Sequence, residues 1–296
     1  MAEKSSAKLE SYGGQALIEG ILMRGKKYLT AAFRMPDGSI EVVEEKLTGI
    51  YTKRIKDIPF LRGLIVLWDS LVLGMKYLTI SSNKQIQEEE EKIEGPALYL
   101  TLAFSLLIGL VIFFLLPTLL MQLLYKTTHL SSIAINLIEG VVRMAIMILY
   151  LTLIQRMEDI KRVFSYHGAE HKTIHAYENG DALDVKSIQK YSTAHPRCGT
   201  SFLVTVMIIS ILVFSVVSTP NVGLRLLSRI VLIPIVAMIS YEVIRLLGKY
   251  EKNPIVRIIA KPNLWLQSLT TNQPTDEMVE VAVQAFNRLL ALEKME

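Results

Sequence analysis

The sequence predicts a predominantly α-helical polytopic membrane protein with four transmembrane helices and a small N-terminal cytosolic unit that contains β-structure. Three observations predict it. Half of the 296 residues (51%) are hydrophobic, too many for an ordinary soluble domain. The excess lies in long windows almost free of charge. The basic residues lie mainly outside those windows and on alternate connections, as cytoplasmic loops require.

Four windows approach or exceed the roughly 20 apolar residues that cross a hydrocarbon core. Residues 97–124 and 201–219 hold no charge, and residues 132–154 and 230–248 hold two each. Pro117 and Pro234 are expected to kink their spans. Lysine plus arginine number 14 in residues 1–96, seven in the 155–200 loop and six in the 249–296 tail. The short connections 125–131 and 220–229 carry one and two. Both termini and the 155–200 loop are therefore expected in the cytosol, with the protein a multi-pass resident of the plasma membrane. The N-terminal residues have no apolar stretch behind their lysines, which does not match a cleavable signal peptide. The net charge of +4 and the single cysteine suggest no nucleic-acid partner and exclude an intrachain disulfide.

Residues 1–57 read as a cytosolic β-containing unit. The run 16–25 predicts one strand. The flanks of Pro36-Asp37-Gly38 predict a hairpin, since proline and glycine there suit a turn. A three-stranded sheet is expected. Residues 58–96 follow as an amphipathic helix (58–82) with an acidic linker behind it. Arg62, Asp69 and Lys76 interrupt its apolar run, so it is expected to lie in the membrane interface. Crossing as a fifth span is the alternative. The membrane domain, 97–248, contains the cytosolic loop 155–200, whose first half is expected to extend the second span as a helix to Asn179-Gly180. In the 249–296 tail, Met278, Val281, Ala282, Ala285, Leu289 and Leu292 recur at helical spacing. They predict an amphipathic helix packed on the cytosolic unit.

The loop carries the chemistry. FSYHGAEHKTIHAYENG (164–180) places His167, His171 and His175 at steps of four, with Glu170 before the middle one. His-x-x-Glu-His is the pattern of inverted zinc peptidases. Two imidazoles four apart share a helix face and can grip one ion, and a glutamate beside them can take a proton from bound water. All three cannot share an ion, because eight helical residues rise about 12 Å. The clip is either His167/His171 with Glu170 as catalytic base, or His171/His175 with Glu178 as ligand or support. A further ligand is sought in His195 and Cys198 of HPRC, or in Glu242. Glu19 and Arg24, within a glycine-bounded segment, are also candidates for ligand or substrate clamp. The bland alternative is an exposed polar helix face, and a lesser one is Cys198 acting as a nucleophile with His195.

Two charge pairs lie within the spans: Glu139 with Arg143, and Glu242 with Arg245. Charges at membrane depth face protein or water and often mark function. Both pairs can also be satisfied on their own helices. Glu139 is expected far from the histidines and Glu242 near them.

Five stretches in order carry a resemblance: GGQALIEGILMRG (13–25), RMPDGSI (34–40), FSYHGAEHKTIHAYE (164–178), AHPRCGTSFL (194–203) and LTTNQPTDEMVEVAVQA (269–285). Together they are similar to the YqhQ-like family of bacterial membrane proteins, a family of unknown function labelled as predicted metal-dependent enzymes. The resemblance implies a metal at His167, Glu170, His171, His175, His195 and Cys198. It implies no substrate. The leading expectation is a metal-dependent membrane enzyme, most simply a hydrolase. It would use a divalent ion such as Zn²⁺ at the cytosolic interface, and act on a lipid-like molecule or a peptide. Membrane lipids are its expected surroundings, with a second copy or another membrane protein as candidate partner. A transporter or channel subunit with ion-sensing histidines is one alternative. A scaffold holding a structural metal is the other.

Overall fold

The computed structural model describes residues 12–48, 58–86, 95–195, 198–216, 221–250 and 253–295. Most of the acidic linker lies outside the described residues, as do Pro196 and Arg197 of HPRC.

The N-terminal sheet has four antiparallel strands in sequence order, not three: β1 (Gly13–Leu17), β2 (Gly20–Arg24), β3 (Tyr28–Arg34) and β4 (Ile40–Lys46). The expected single strand 16–25 breaks because the chain reverses at Ile18-Glu19, pairing Leu17 with Gly20. Glu19 takes the left-handed conformation (φ 49°). Its carboxylate is held there by the Arg162 guanidinium (2.5 and 2.7 Å) and the Tyr166 hydroxyl (3.1 Å). A tertiary contact thus supports a turn that glutamate itself disfavours.

Both sheet faces are covered. One face presents Ile21, Met23 and Ala32 to α5 (Glu158–Asn179) and α10 (Asp276–Lys294), packing on Tyr166, Ala169, Val279 and Phe286. The apolar positions of α10 turn inward on this face, and the Thr275 side chain caps its first turn. The other face presents Leu17, Leu22, Ala31 and Phe33 to Leu73 and Tyr77 of α1 (Leu61–Gln85). Alternation along β2 and β3 therefore separates two apolar sets rather than apolar from polar.

Four helices are long and apolar enough to cross a membrane: Leu61–Gln85, Gly95–Gln122, Ser132–Ile154 and Gly223–Lys249. This set differs from the expected windows in one member, since α1 qualifies. The 201–219 window gives α7 (Ser201–Val216), whose apolar stretch Phe202–Val216 is shorter. Yet α7 runs antiparallel along α4 (Ser132–Ile154). Phe214 lies beside Asn136, Ile211 fills the gap left by Gly140, and Val204 packs with Met147 and Leu151. It thus traverses the same layer as α4. From Asp69 onward α1 is tied to the sheet. Asp69 pairs with Arg24 (2.6 Å), the Tyr77 hydroxyl donates to Glu45 (2.8 Å), and Gln85 donates to the Arg34 carbonyl (2.9 Å).

The second span does not continue into the histidine helix as expected. α4 stops at Ile154, and α5 begins anew at Glu158. The new start puts Glu158 and Asp159 in the first turn, where negative charge complements the helix dipole. α5 ends at Asn179, ahead of left-handed Gly180.

Candidate metal centre

α5 passes with one face on the sheet and another against the segment that follows α9 (Pro254–Gln267). Gly168 permits that second approach. A Cβ there would run into the carbonyl oxygen of Asn272, whose amide in turn donates to the Phe164 carbonyl (2.9 Å). The close approach brings the Thr270 carbonyl to His167. The opposite approach is permitted by Gly14 of β1, where a Cβ would sit 2.6 Å from the Leu22 carbonyl and 2.9 Å from Glu170 Cδ. Two of the motif glycines therefore set how deeply α5 is clasped.

Each histidine of α5 is anchored by one ring nitrogen on a backbone carbonyl. His167 Nδ1 donates to Thr270 O (2.8 Å), His171 Nδ1 to Thr193 O (2.5 Å) and His175 Nε2 to Ala194 O (2.8 Å). A carbonyl only accepts, so the anchored nitrogen carries the proton and the neutral ring's lone pair lies on the other nitrogen. Histidine ligands in metal sites are held in this manner. The same contacts fasten residues 193–195 along α5. Gln267 clips that segment from the far side, accepting from the His195 amide (2.7 Å) and donating to its carbonyl (3.0 Å).

Two trios result. His167, His171 and Cys198 bring one ligand atom each within 4.8 Å of one another, and so do His175, Glu178 and His195. In the first, His167 Nε2 lies 3.1 Å from Cys198 Sγ, and the Thr200 hydroxyl lies 3.1 Å from the same sulfur. His171 Nε2 is buried with no hydrogen-bond partner. In the second, His195 Nε2 lies 3.3 Å from Glu178 Oε2, and the His175 ring stacks on Tyr191.

Burial pushes the Cys198 thiol up, but hydrogen bonding to His167 and the nearness of His171 outweigh it and bring the thiol down to about 4. Burial likewise opposes charge on His167, yet the sulfur and then Glu170 hold the imidazole up to about 9. The opposite shifts have one cause, a proton shared between His167 Nε2 and Cys198 Sγ. A divalent cation suits this place because it can replace the shared proton and satisfy the orphaned His171 nitrogen together. Burial dominates at Glu170 and pushes its carboxyl up.

A family model described as a protein of unknown function, DUF1385, matches residues 58–292. The chain belongs to the DUF1385 family. It is also 37% identical to the uncharacterized protein YqhQ of Bacillus subtilis (strain 168), over 96% of this chain and 94% of that protein. No solved structure matches the chain.

In this DUF1385 chain the remaining expected site residues fall into separate places. Glu170 belongs to neither trio. It is buried between α5 and Gly14, and its Oε2 has no hydrogen-bond partner. Glu19 and Arg24 are engaged with Arg162 and Asp69, away from the trios. Glu242 accepts from Arg62 Nε (2.7 Å) and from the Phe60 amide (3.1 Å), so it anchors the start of α1. Arg62, rather than Arg245, makes its ion pair. Cys198 pairs with His167, whereas His195 pairs with Glu178.

Glu139 and Arg143 form a buried pair (2.7 Å), but not an isolated one. Arg229 of α8 (Val222–Lys249) approaches the same carboxylate at 3.4 Å and donates to Asn136 Oδ1 (3.0 Å) and Phe214 O (3.2 Å). Arg143 Nε donates to the Phe113 carbonyl (3.0 Å). That carbonyl is available because Pro117, four residues on, has no amide proton to offer it. The helix relaxes there into a π-turn at Val111–Leu115.

Sequence reading missed Gln267, Thr270 and Thr193, which position the histidine rings. Two of the three act through a backbone carbonyl, which no side-chain pattern reports. Only Thr270 lies within a stretch that carries the resemblance, LTTN (269–272); Gln267 and Thr193 lie outside all five.

Proposed function

We propose that this protein is a metal-dependent integral membrane enzyme, most simply a zinc-type hydrolase working at the cytosolic face. The observation that carries the reading is the His167, His171, Cys198 trio, with both rings anchored from behind and a thiolate between them. Two nitrogens and a sulfur are a borderline-soft set suited to Zn²⁺. Three protein ligands leave a position open for water or substrate, which favours catalysis over a closed structural site. A bound ion of this kind supplies an activated water and polarises a carbonyl or phosphoryl group. Around it, His167 and His171 would hold position through their carbonyl anchors. Glu170, the buried carboxyl that lies within electrostatic reach of both rings, would move the proton.

The placement follows from charge and contact. α2 (Gly95–Leu110) with α3 (Leu116–Thr127), α4, α7 and α8 would cross the membrane, with both termini cytosolic. α1 would lie on the cytosolic face, since its second half is committed to the sheet. Its exposed Phe60, Leu61, Trp68 and Leu71 would meet lipid. α9 would do the same through Ile255, Ile258, Ile259 and Trp265. α9 leads directly into the Gln267–Thr270 turn that holds His195 and His167, so a lipid-like molecule or a membrane-bound peptide is the substrate class that fits.

Elemental analysis of protein purified without chelator should find tightly held divalent metal. Stripping it should lower unfolding stability by about 2.7 kcal/mol for free metal at 100-fold above Kd. His167→Ala should lose both the metal of this trio and the chelator effect that goes with it. Metal-free protein from unchelated membranes would overturn the reading.

A further inference from the structure

We infer that the centre is built for two ions, the second held by His175, Glu178 and His195. The inference rests on the metal reading above and deepens it.

The argument begins with helix geometry. α5 offers two clips on one face, His167 with His171 and His175 with Glu178, one after the other along its axis. The rise between them denies a single ion access to both. The connection back to α7 supplies one ligand to each clip, and the two it supplies are three residues apart. Cys198 meets the first clip and His195 the second. Neither clip takes both, so the segment completes two sites rather than crowding one.

The second trio has the features of a site and not only of a polar contact. Its three ligand atoms lie within 4.8 Å of one another. Ligands around a tetrahedral ion at bond lengths near 2.1 Å sit about 3.4 Å apart, so modest closure suffices. His175 already spends Nε2 on the Ala194 carbonyl, which orients the ring and leaves its lone pair on Nδ1. His195 is 4% exposed, and both its backbone polar groups are clipped by Gln267. Holding a histidine so firmly has a ready purpose if its ring is a ligand. His175 is only half-buried, so this end of the centre is the one that opens to solvent.

The two sites are neighbours and differ in character. The His171 and His195 rings are 5.6 Å apart, and those of His175 and His195 are 4.5 Å apart. The first set is two nitrogens with a thiolate, and the second two nitrogens with a carboxylate. The softer set favours zinc more strongly, and the second admits harder ions such as manganese. Adjacent ions of this kind suit hydrolysis in which one activates water and the other receives the leaving oxygen.

Cobalt titration of the stripped full-length protein in detergent tests this. The expected result is two equivalents bound per chain, with thiolate-to-cobalt absorption in the near ultraviolet developing for one of them. Glu178→Gln should bind one equivalent and keep that absorption. Cys198→Ser should lose the absorption and retain the other equivalent. One equivalent in the wild type, unchanged by Glu178→Gln and by His175→Asn, would overturn the second site and leave the first standing. No binding by wild type of unaltered gel-filtration behaviour would overturn the metal reading itself. If either variant fails to fold, the wild-type stoichiometry decides alone.

Discussion

The histidine centre and the arginine nest are both built from ionisable side chains withdrawn from water, and they handle that burial in opposite ways. In the nest, Glu139 meets Arg143 and Arg229, while the remaining guanidinium donors find Phe113 O, Phe214 O and Asn136. Those carbonyls are there because a proline breaks one helix and another helix nears its C-terminal turn. In the histidine centre the donors are spent on carbonyls behind the rings, while lone pairs and a thiolate gather in front. The nest sets its charges against one another through Glu139 Oε1, while Glu139 Oε2 has no hydrogen-bond partner. In the centre the His167 nitrogen and the Cys198 sulfur face each other, and His171 Nε2 beside them has no hydrogen-bond partner. The first arrangement holds helices together, and the second is the one we propose as a cation site.

The largest effect that could break this comparison lies at Glu139. Glu139→Gln leaves two buried guanidinium groups without their counter-charge, and removing one partner of a buried pair typically costs about 3–5 kcal/mol. The unfolding midpoint in detergent should fall accordingly, while metal content per folded chain stays unchanged. Adding Arg143→Met should recover part of the loss. A lost metal in the single variant would show that the two regions are not independent.

A smaller effect is expected at Gln267, which touches no proposed ligand atom. Gln267→Ala removes the acceptor for the His195 amide and leaves its carbonyl with the Cys198 amide alone of these two donors, at a cost of about 1–3 kcal/mol for a buried polar group that loses its partner. Affinity at the His195 site should weaken more than thiolate-to-cobalt absorption at the other. Equal weakening of both would mean the clip serves the loop as a whole.

The smallest effect belongs to Glu19, whose partner Arg162 is half-exposed. Burial would raise its carboxyl, but hydrogen bonds from Arg162 and Tyr166 and the Arg162 charge hold it below the usual carboxylate range. A depressed folded-state value means the stabilisation is present above the ordinary carboxylate range and is lost as pH falls through the depressed one. Glu19→Gln should therefore cost about 0.2–1 kcal/mol at neutral pH. That difference should vanish in acid, as read from unfolding midpoints across pH. A difference independent of pH would assign the effect to the turn itself rather than to the charge.

Much of the fold was legible because apolar patterning is a local property. The charge-free windows, the tail helix with its repeat from Met278 to Leu292, and the close of α5 at Asn179-Gly180 all follow from periodicity and caps. Glu19 was not legible, since a glutamate in a left-handed turn depends on Arg162, 143 residues away. The arginine nest was half legible. Glu139 and Arg143 sit four apart in the sequence, whereas Arg229 reaches them only when α8 packs against α7.

The same division holds at the centre. By itself the sequence determined that one ion cannot serve His167, His171 and His175, because helical rise depends on nothing but spacing. It also offered His195 and Cys198 of HPRC, with Glu242 as another, as candidates for a further ligand. Only the tertiary structure decided that His195 and Cys198 part company, each joining a different pair. The reason is physical. The Thr193 and Ala194 carbonyls dock on successive turns of α5, and that register carries His195 to one clip and Cys198 to the other.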